Sequence, residues 1–111
     1  MKRPLTGLRA WLVQRVSALY LLAFLLFLVA RMATAALPWT YGAWRAWVLA
    51  PAVSVAVLLF FAALLLHAWV GMRDVILDYI HPVALRIGLL GCFAIGEIGV
   101  GAWVLVILFH R

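Results

Sequence analysis

The sequence predicts an all-α membrane protein with three transmembrane helices, and three observations carry that reading. The chain is 70% hydrophobic and only 11% charged over 111 residues, against about 25% charged in an ordinary soluble domain. Three stretches lack Asp, Glu, Lys and Arg: Val16 to Ala30, Ala46 to Met72, and Ile87 to His110 apart from Glu97. Charged markers and helix breakers separate them. A spanning helix needs about 20 mostly apolar residues, and the first stretch reaches that length once Trp11 to Gln14 joins it, with Arg15 snorkelling or paired.

In chain order, helix one is expected over about 11–36, helix two over about 46–80 and helix three over about 83–110, in one membrane domain. Between Arg31 and Arg45, Pro38 and Gly42 disfavour continued helix, while Trp39, Tyr41, Trp44 and Trp47 suit a belt at headgroup level. Pro51 belongs in the first turns of helix two, where a missing N–H does least harm. Pro82 ends that helix and biases His81 towards an extended backbone. No segment reads as a cleavable signal peptide, so the first helix is expected to stay in place.

Lys2, Arg3, Arg9, Arg15, Arg73 and Arg86 fall on one side of this layout, with Arg31, Arg45 and Arg111 on the other. The positive-inside rule then puts the N-terminus in the cytoplasm and the C-terminus outside. The net charge of +6 follows from that asymmetry and makes no separate case for nucleic-acid binding. A lone Cys92 forms no internal disulfide and reads as a small packing residue. Three helices without a soluble domain offer too little surface for an independent enzyme. The chain reads as one member of a larger complex.

His67 orients the functional reading, because it is the one ionisable residue between Ala46 and Met72, and such a group at membrane depth is costly to hold. At about 100° per residue, Ala56, Phe60, Ala63, His67, Gly71, Asp74 and Asp78 share one helix face. Gly71, one turn on, removes a side chain beside the imidazole, as a flat cofactor or a closely packed helix requires. Spacing alone supports ligation and packing equally. One histidine cannot make a bis-histidine haem site unaided, so a second ligand has to come from another chain.

The run His67-Ala-Trp-Val-Gly-Met-Arg-Asp-Val-Ile-Leu-Asp-Tyr79, followed by His81-Pro-Val-Ala-Leu-Arg86, closely resembles the HAW-x-G-M-x-x-V-x-x-D-Y-x-x-P-x-A-L-R signature of a known family. That family is the small membrane-anchor subunit (the cytochrome b556 small subunit) of bacterial succinate dehydrogenase, respiratory complex II. Length, three-helix layout and the segment Val13-Gln14-Arg15-Val16-Ser17-Ala18 are similar too; helix three matches in hydropathy only.

The resemblance implies a two-chain anchor, made with the related cytochrome b556 anchor subunit, that binds one haem b and holds the iron–sulfur and flavoprotein subunits on the cytoplasmic face of the bacterial inner membrane. It implies His67 as one axial ligand of the haem iron, with a histidine of the related anchor subunit as the other, and Arg15 as partner of a haem propionate. Tyr79 and Asp78 match an Asp-Tyr pair beside the ubiquinone site, Tyr79 towards the quinone and Asp78 behind it, tuning a neighbouring arginine or the local field. Succinate is oxidised in the flavoprotein, which carries FAD, and electrons reach the quinone through iron–sulfur clusters. The resemblance leaves room for a trimer of complexes. Two other classes stay open: an anchor of a quinol:fumarate reductase, and a helical assembly protein in which His67 only packs.

Depth can be compared without the family. Arg15 lies six residues after Arg9 and His67 six before Arg73, so antiparallel helices put both roughly 9 Å inside the boundary at 1.5 Å per residue. Snorkelling is the plain alternative for Arg15, and an interfacial belt tyrosine near a helix end the plain alternative for Tyr79, roughly 18 Å beyond His67 along the helix. Glu97, opposite the small residues Ala84, Gly88, Gly91, Cys92 and Gly99, reads as structural ahead of a contact to the related anchor subunit or a proton-path group. His81 and His110 read as surface histidines.

Overall fold

A computed structural model describes residues 4–34 and 40–110. Four helices follow in order, α1 Pro4–Thr34, α2 Tyr41–Val48, α3 Pro51–Tyr79 and α4 Val83–Phe109. Three of them are long and apolar enough to cross a membrane, over Gly7–Thr34, Pro51–Tyr79 and Val83–Phe109. The all-helical, three-span class is therefore the observed one. With 29 residues, α3 runs roughly 43 Å at 1.5 Å per residue, beyond the roughly 30 Å of a hydrocarbon core, so its ends reach headgroup level.

Two boundaries depart from expectation. Helix α1 is already formed at Pro4, well before Trp11, because backbone hydrogen bonding continues past the point where the apolar run stops. The helix expected from about residue 46 is divided: Tyr41–Val48 form α2, and α3 starts at Pro51. Pro51 accounts for the division, since it has no N–H and disfavours a helical residue before it; Ala50 accordingly has ψ 137. As expected, Pro51 itself then sits in the first turn of α3.

The 8-residue α2 is held at both ends. Thr40 accepts a hydrogen bond from the Ala43 N–H at 3.2 Å, the usual service of an N-cap, and the Ser54 hydroxyl donates to the Val48 carbonyl at 2.8 Å. Tyr41, Trp44 and Trp47 of the predicted aromatic belt therefore ride on a helix. Leu37, Pro38 and Trp39, and the expected end of helix one near residue 36, lie outside the described residues.

Helix α3 is the centre of the arrangement: it packs on α1, α2 and α4, whereas α1 and α4 do not meet among the described residues. The result is a row of helices. The predicted stripe of α3 is its seam with α1, for Phe60 stacks near Phe24 with ring centroids 4.6 Å apart and His67 meets Ser17. A Cβ on Gly71 would come within 3.1 Å of the Gln14 amide nitrogen, so close helix packing uses the space this glycine leaves. Moving three and then seven residues along α1, from Gln14 to Ser17 to Phe24, moves the partner four and then seven back along α3. That is the register of an antiparallel pair.

Among the described residues only Ser17, Ile76, Val104 and Leu108 are buried. A bilayer supplies no hydrophobic force between helices, so packing and polar contacts carry the association and the remaining apolar surface suits lipid or another chain. Most glycines of α4 have no packing partner among the described residues. A Cβ at Gly88, Gly91, Gly96 or Gly99 meets nothing within 4 Å, and Cys92 is exposed. Contact with α3 falls instead at Gly101, where a Cβ would lie 3.2 Å from Leu65 Cδ1, and at Trp69 stacked on Phe93.

Candidate functional site

His67 is half-buried on α3, and its Nδ1 lies 3.0 Å from Ser17 Oγ of α1. Ser17, 6% exposed, also donates to the Gln14 carbonyl one turn earlier at 3.1 Å. A hydroxyl has one proton, and with that proton on the Gln14 carbonyl the imidazole Nδ1–H is the donor to Ser17. The lone pair then sits on Nε2.

Beside this pair is an open cavity of about 780 Å³ between the first turns of α1 and the second half of α3, and both His67 and Arg15 border it. Its walls combine apolar groups of Trp11, Val13, Ala18 and Val70 with cations from Arg9, Arg15 and Arg73. The Arg15 guanidinium lies 5.6 Å from the Trp11 ring centroid, within the range of a cation–π contact. Arg73 pairs with Asp74 at 3.4 Å, both side chains substantially exposed, so that pair adds little stability. Arg9, used in the sequence only as a boundary marker, lines the same cavity.

The structure thus brings Arg15 and His67 to one level and leaves Asp78 and Tyr79 apart from them. Tyr79 ends α3 with 76% of its surface exposed, Asp78 is exposed beside it, and neither borders the cavity. The arginine that addresses this end of α3 is Arg86, and it bonds the backbone. Its Nε donates to the Ile80 carbonyl and its Nη2 to the Leu77 carbonyl, the latter at 2.7 Å. Leu77 lies in the last turn of α3 and Ile80 is its C-cap, where carbonyls find no further helical N–H to accept from and a cation is favoured. Arg86 therefore brackets Asp78 and Tyr79 from both sides in sequence.

Sequence reasoning missed Ser17, Gln14 and the capping role of Arg86. Ser17 was legible only as part of a similar segment. Gln14 and Glu97 each carry a buried side-chain oxygen without a hydrogen-bond partner among the described residues. A second groove of about 380 Å³, bordered by Trp44, Arg45, Val106 and His110, lies at the opposite end of the helices.

The donors around the main cavity suit a flat apolar macrocycle with anionic arms: one imidazole with a free nitrogen, two guanidinium groups from Arg9 and Arg15, and apolar walls. Comparison with known proteins gives the family of the chain. The family model for the succinate dehydrogenase/fumarate reductase transmembrane subunit matches residues 1–109. The chain is also 28% identical over 107 residues to the succinate dehydrogenase hydrophobic membrane anchor subunit of Coxiella burnetii (strain RSA 493 / Nine Mile phase I), covering 93% of this chain and 89% of that protein.

Proposed function

We propose that this chain, which belongs to the succinate dehydrogenase/fumarate reductase transmembrane subunit family, anchors a succinate:quinone oxidoreductase and contributes to its haem b and ubiquinone sites. As a multi-pass membrane anchor it associates with other subunits of its complex. Within the proposal, those are the cytochrome b556 anchor subunit, the iron–sulfur subunit and the flavoprotein. The N-terminus lies in the cytoplasm of a bacterium, and the catalytic subunits bind at the end of the helices that carries Tyr79. The succinate-oxidising direction, rather than fumarate reduction, is favoured by the name of the Coxiella burnetii relative.

The observation that carries the haem assignment is His67 itself, bordering the cavity that Arg15 borders, with Nδ1 engaged by Ser17. His67 would present Nε2 to the iron, while Arg15, with Arg9 beside it, would neutralise the propionates through charge-assisted hydrogen bonds. When bound, haem b supplies one-electron redox chemistry at membrane depth. Tyr79 donates its phenolic proton to a quinone carbonyl in this reading and packs its ring on the apolar head group.

The visible and electron-paramagnetic-resonance spectra of the membrane-purified complex test the assignment. His67→Leu leaves one axial position open, so the low-spin bis-histidine signature should be lost or replaced by a high-spin one. A native low-spin spectrum in that variant removes His67 from the haem.

A further inference from the structure

We infer that Ser17 is a positioning residue for His67: its hydroxyl oxygen accepts the Nδ1–H, fixes the imidazole in the Nδ1-protonated tautomer and hands Nε2, unprotonated, to the iron. The inference rests on the haem reading of His67 and adds a residue that composition and motif leave silent.

Three observations support it together. The contact spans 3.0 Å between α1 and α3, a normal length for a hydrogen bond. Ser17 is 6% exposed, and its own proton has a partner in the Gln14 carbonyl at 3.1 Å, which leaves the oxygen to accept. Finally, Ser17 borders an apolar groove of about 500 Å³ with Val16, Tyr20 and Leu59, whereas His67 borders the cavity on the other side together with Arg15. The hydrogen bond therefore occupies the wall between the two spaces. With Nδ1 held in that wall, Nε2 is the ring nitrogen left for the cavity.

The chemistry of the partner sets the strength of the effect. Metal-bound histidines commonly donate their second ring N–H to a carboxylate, carbonyl or water, which fixes the ring and raises its basicity. A neutral hydroxyl is a weaker acceptor than a carboxylate, so it orients the ring while pushing less electron density towards the iron. No carboxylate is hydrogen-bonded to His67 among the described residues. Removing the acceptor should free the ring to turn and lower its basicity further, which favours the ferrous state.

The test uses the whole complex with all partner subunits, in its membrane, with Ser17→Ala and Ser17→Thr. Alanine is an excellent helix former, so α1 should still insert and the complex should still assemble, as co-purification of all subunits will show. Expected in Ser17→Ala are a shifted and broadened ferric low-spin resonance and a more positive haem midpoint in a potentiometric titration. Threonine keeps an Oγ that can still bond a carbonyl one turn back, and it should restore both readings. A resonance and midpoint unchanged in Ser17→Ala, or displaced equally in Ser17→Thr, overturn the inference. His67→Leu distinguishes the two levels. If it loses the low-spin signal while Ser17→Ala is silent, only the role of Ser17 falls; if it keeps the signal, the haem reading falls and this inference with it.

Discussion

Replacing Arg86 with Leu should loosen the end of α3 that presents Tyr79. The side chain makes two hydrogen bonds from a charged donor, a partly buried one to Ile80 and an exposed one to Leu77. A bond to a charged group contributes roughly 1.5–3 kcal/mol, and we take about 1.5 for the partly buried bond and about 0.5 for the exposed one after solvent screening. The total of about 2 kcal/mol corresponds to about a 30-fold change in the balance between the ordered and frayed last turn. One amide reports on it, because the Ile80 N–H is bonded to the Ile76 carbonyl at 3.0 Å. Hydrogen exchange of the assembled complex should show this amide opening about 30-fold faster in Arg86→Leu, with Phe24 and Phe60 segments unchanged. Arg86→Lys keeps the charge and loses the fork, so it should fall between the two. An acceleration below about threefold at Ile80 would refute this role for Arg86, and a lysine variant equal to wild type would assign the effect to charge at the helix end alone.

Two further substitutions separate the proposed sites. Arg15→Leu should lower haem retention or shift the haem midpoint, whereas Arg45→Leu at the opposite end should do neither; Arg9 does not serve as a control because it borders the His67 cavity, and an unaltered midpoint in Arg15→Leu would leave Arg15 as a topology residue. Tyr79→Phe keeps the ring and removes only the donor, so succinate:quinone activity should fall strongly while haem content and dye reduction stay at wild-type levels; unchanged quinone reduction would remove Tyr79 from that site, and parallel loss of both activities would indicate failed assembly.

What the sequence disclosed depended on whether a signal was local. His67 stands out because one ionisable group in a long apolar run needs a reason, and the seam of α3 follows from the helical period that places Phe60, His67 and Gly71 on one face. The partner of His67 was hidden, since Ser17 lies 50 positions away and serine in an apolar helix can satisfy itself on its own backbone. Finding it requires the axial register of α1 against α3. Helix α2 was read as a connection because Pro38 and Gly42 suggest a break, yet Gly42 lies inside α2, and Pro51 separates α2 from α3. Arg86 was counted as a topological charge; its spacing after Pro82, close to the open carbonyls of α3, was the clue to its second role. The small-residue face of α4 was legible, but a Cβ at Gly88, Gly91 or Gly99 meets nothing within 4 Å among the described residues.

The contact between Tyr20 and the Ala56 carbonyl, at 2.7 Å, gains meaning beside the Ser17–His67 bond. Each joins the same two helices at a different height. A slide of α1 by one residue displaces it by about 1.5 Å, enough to break both bonds together, and a turn of about 100° swings both hydroxyls away from the seam. Two rivets through a pair of rods leave neither translation nor rotation free. The depth at which His67 sits is therefore a property of the polypeptide before anything binds to it, so a newly inserted chain already holds its imidazole at a fixed height along the helix pair.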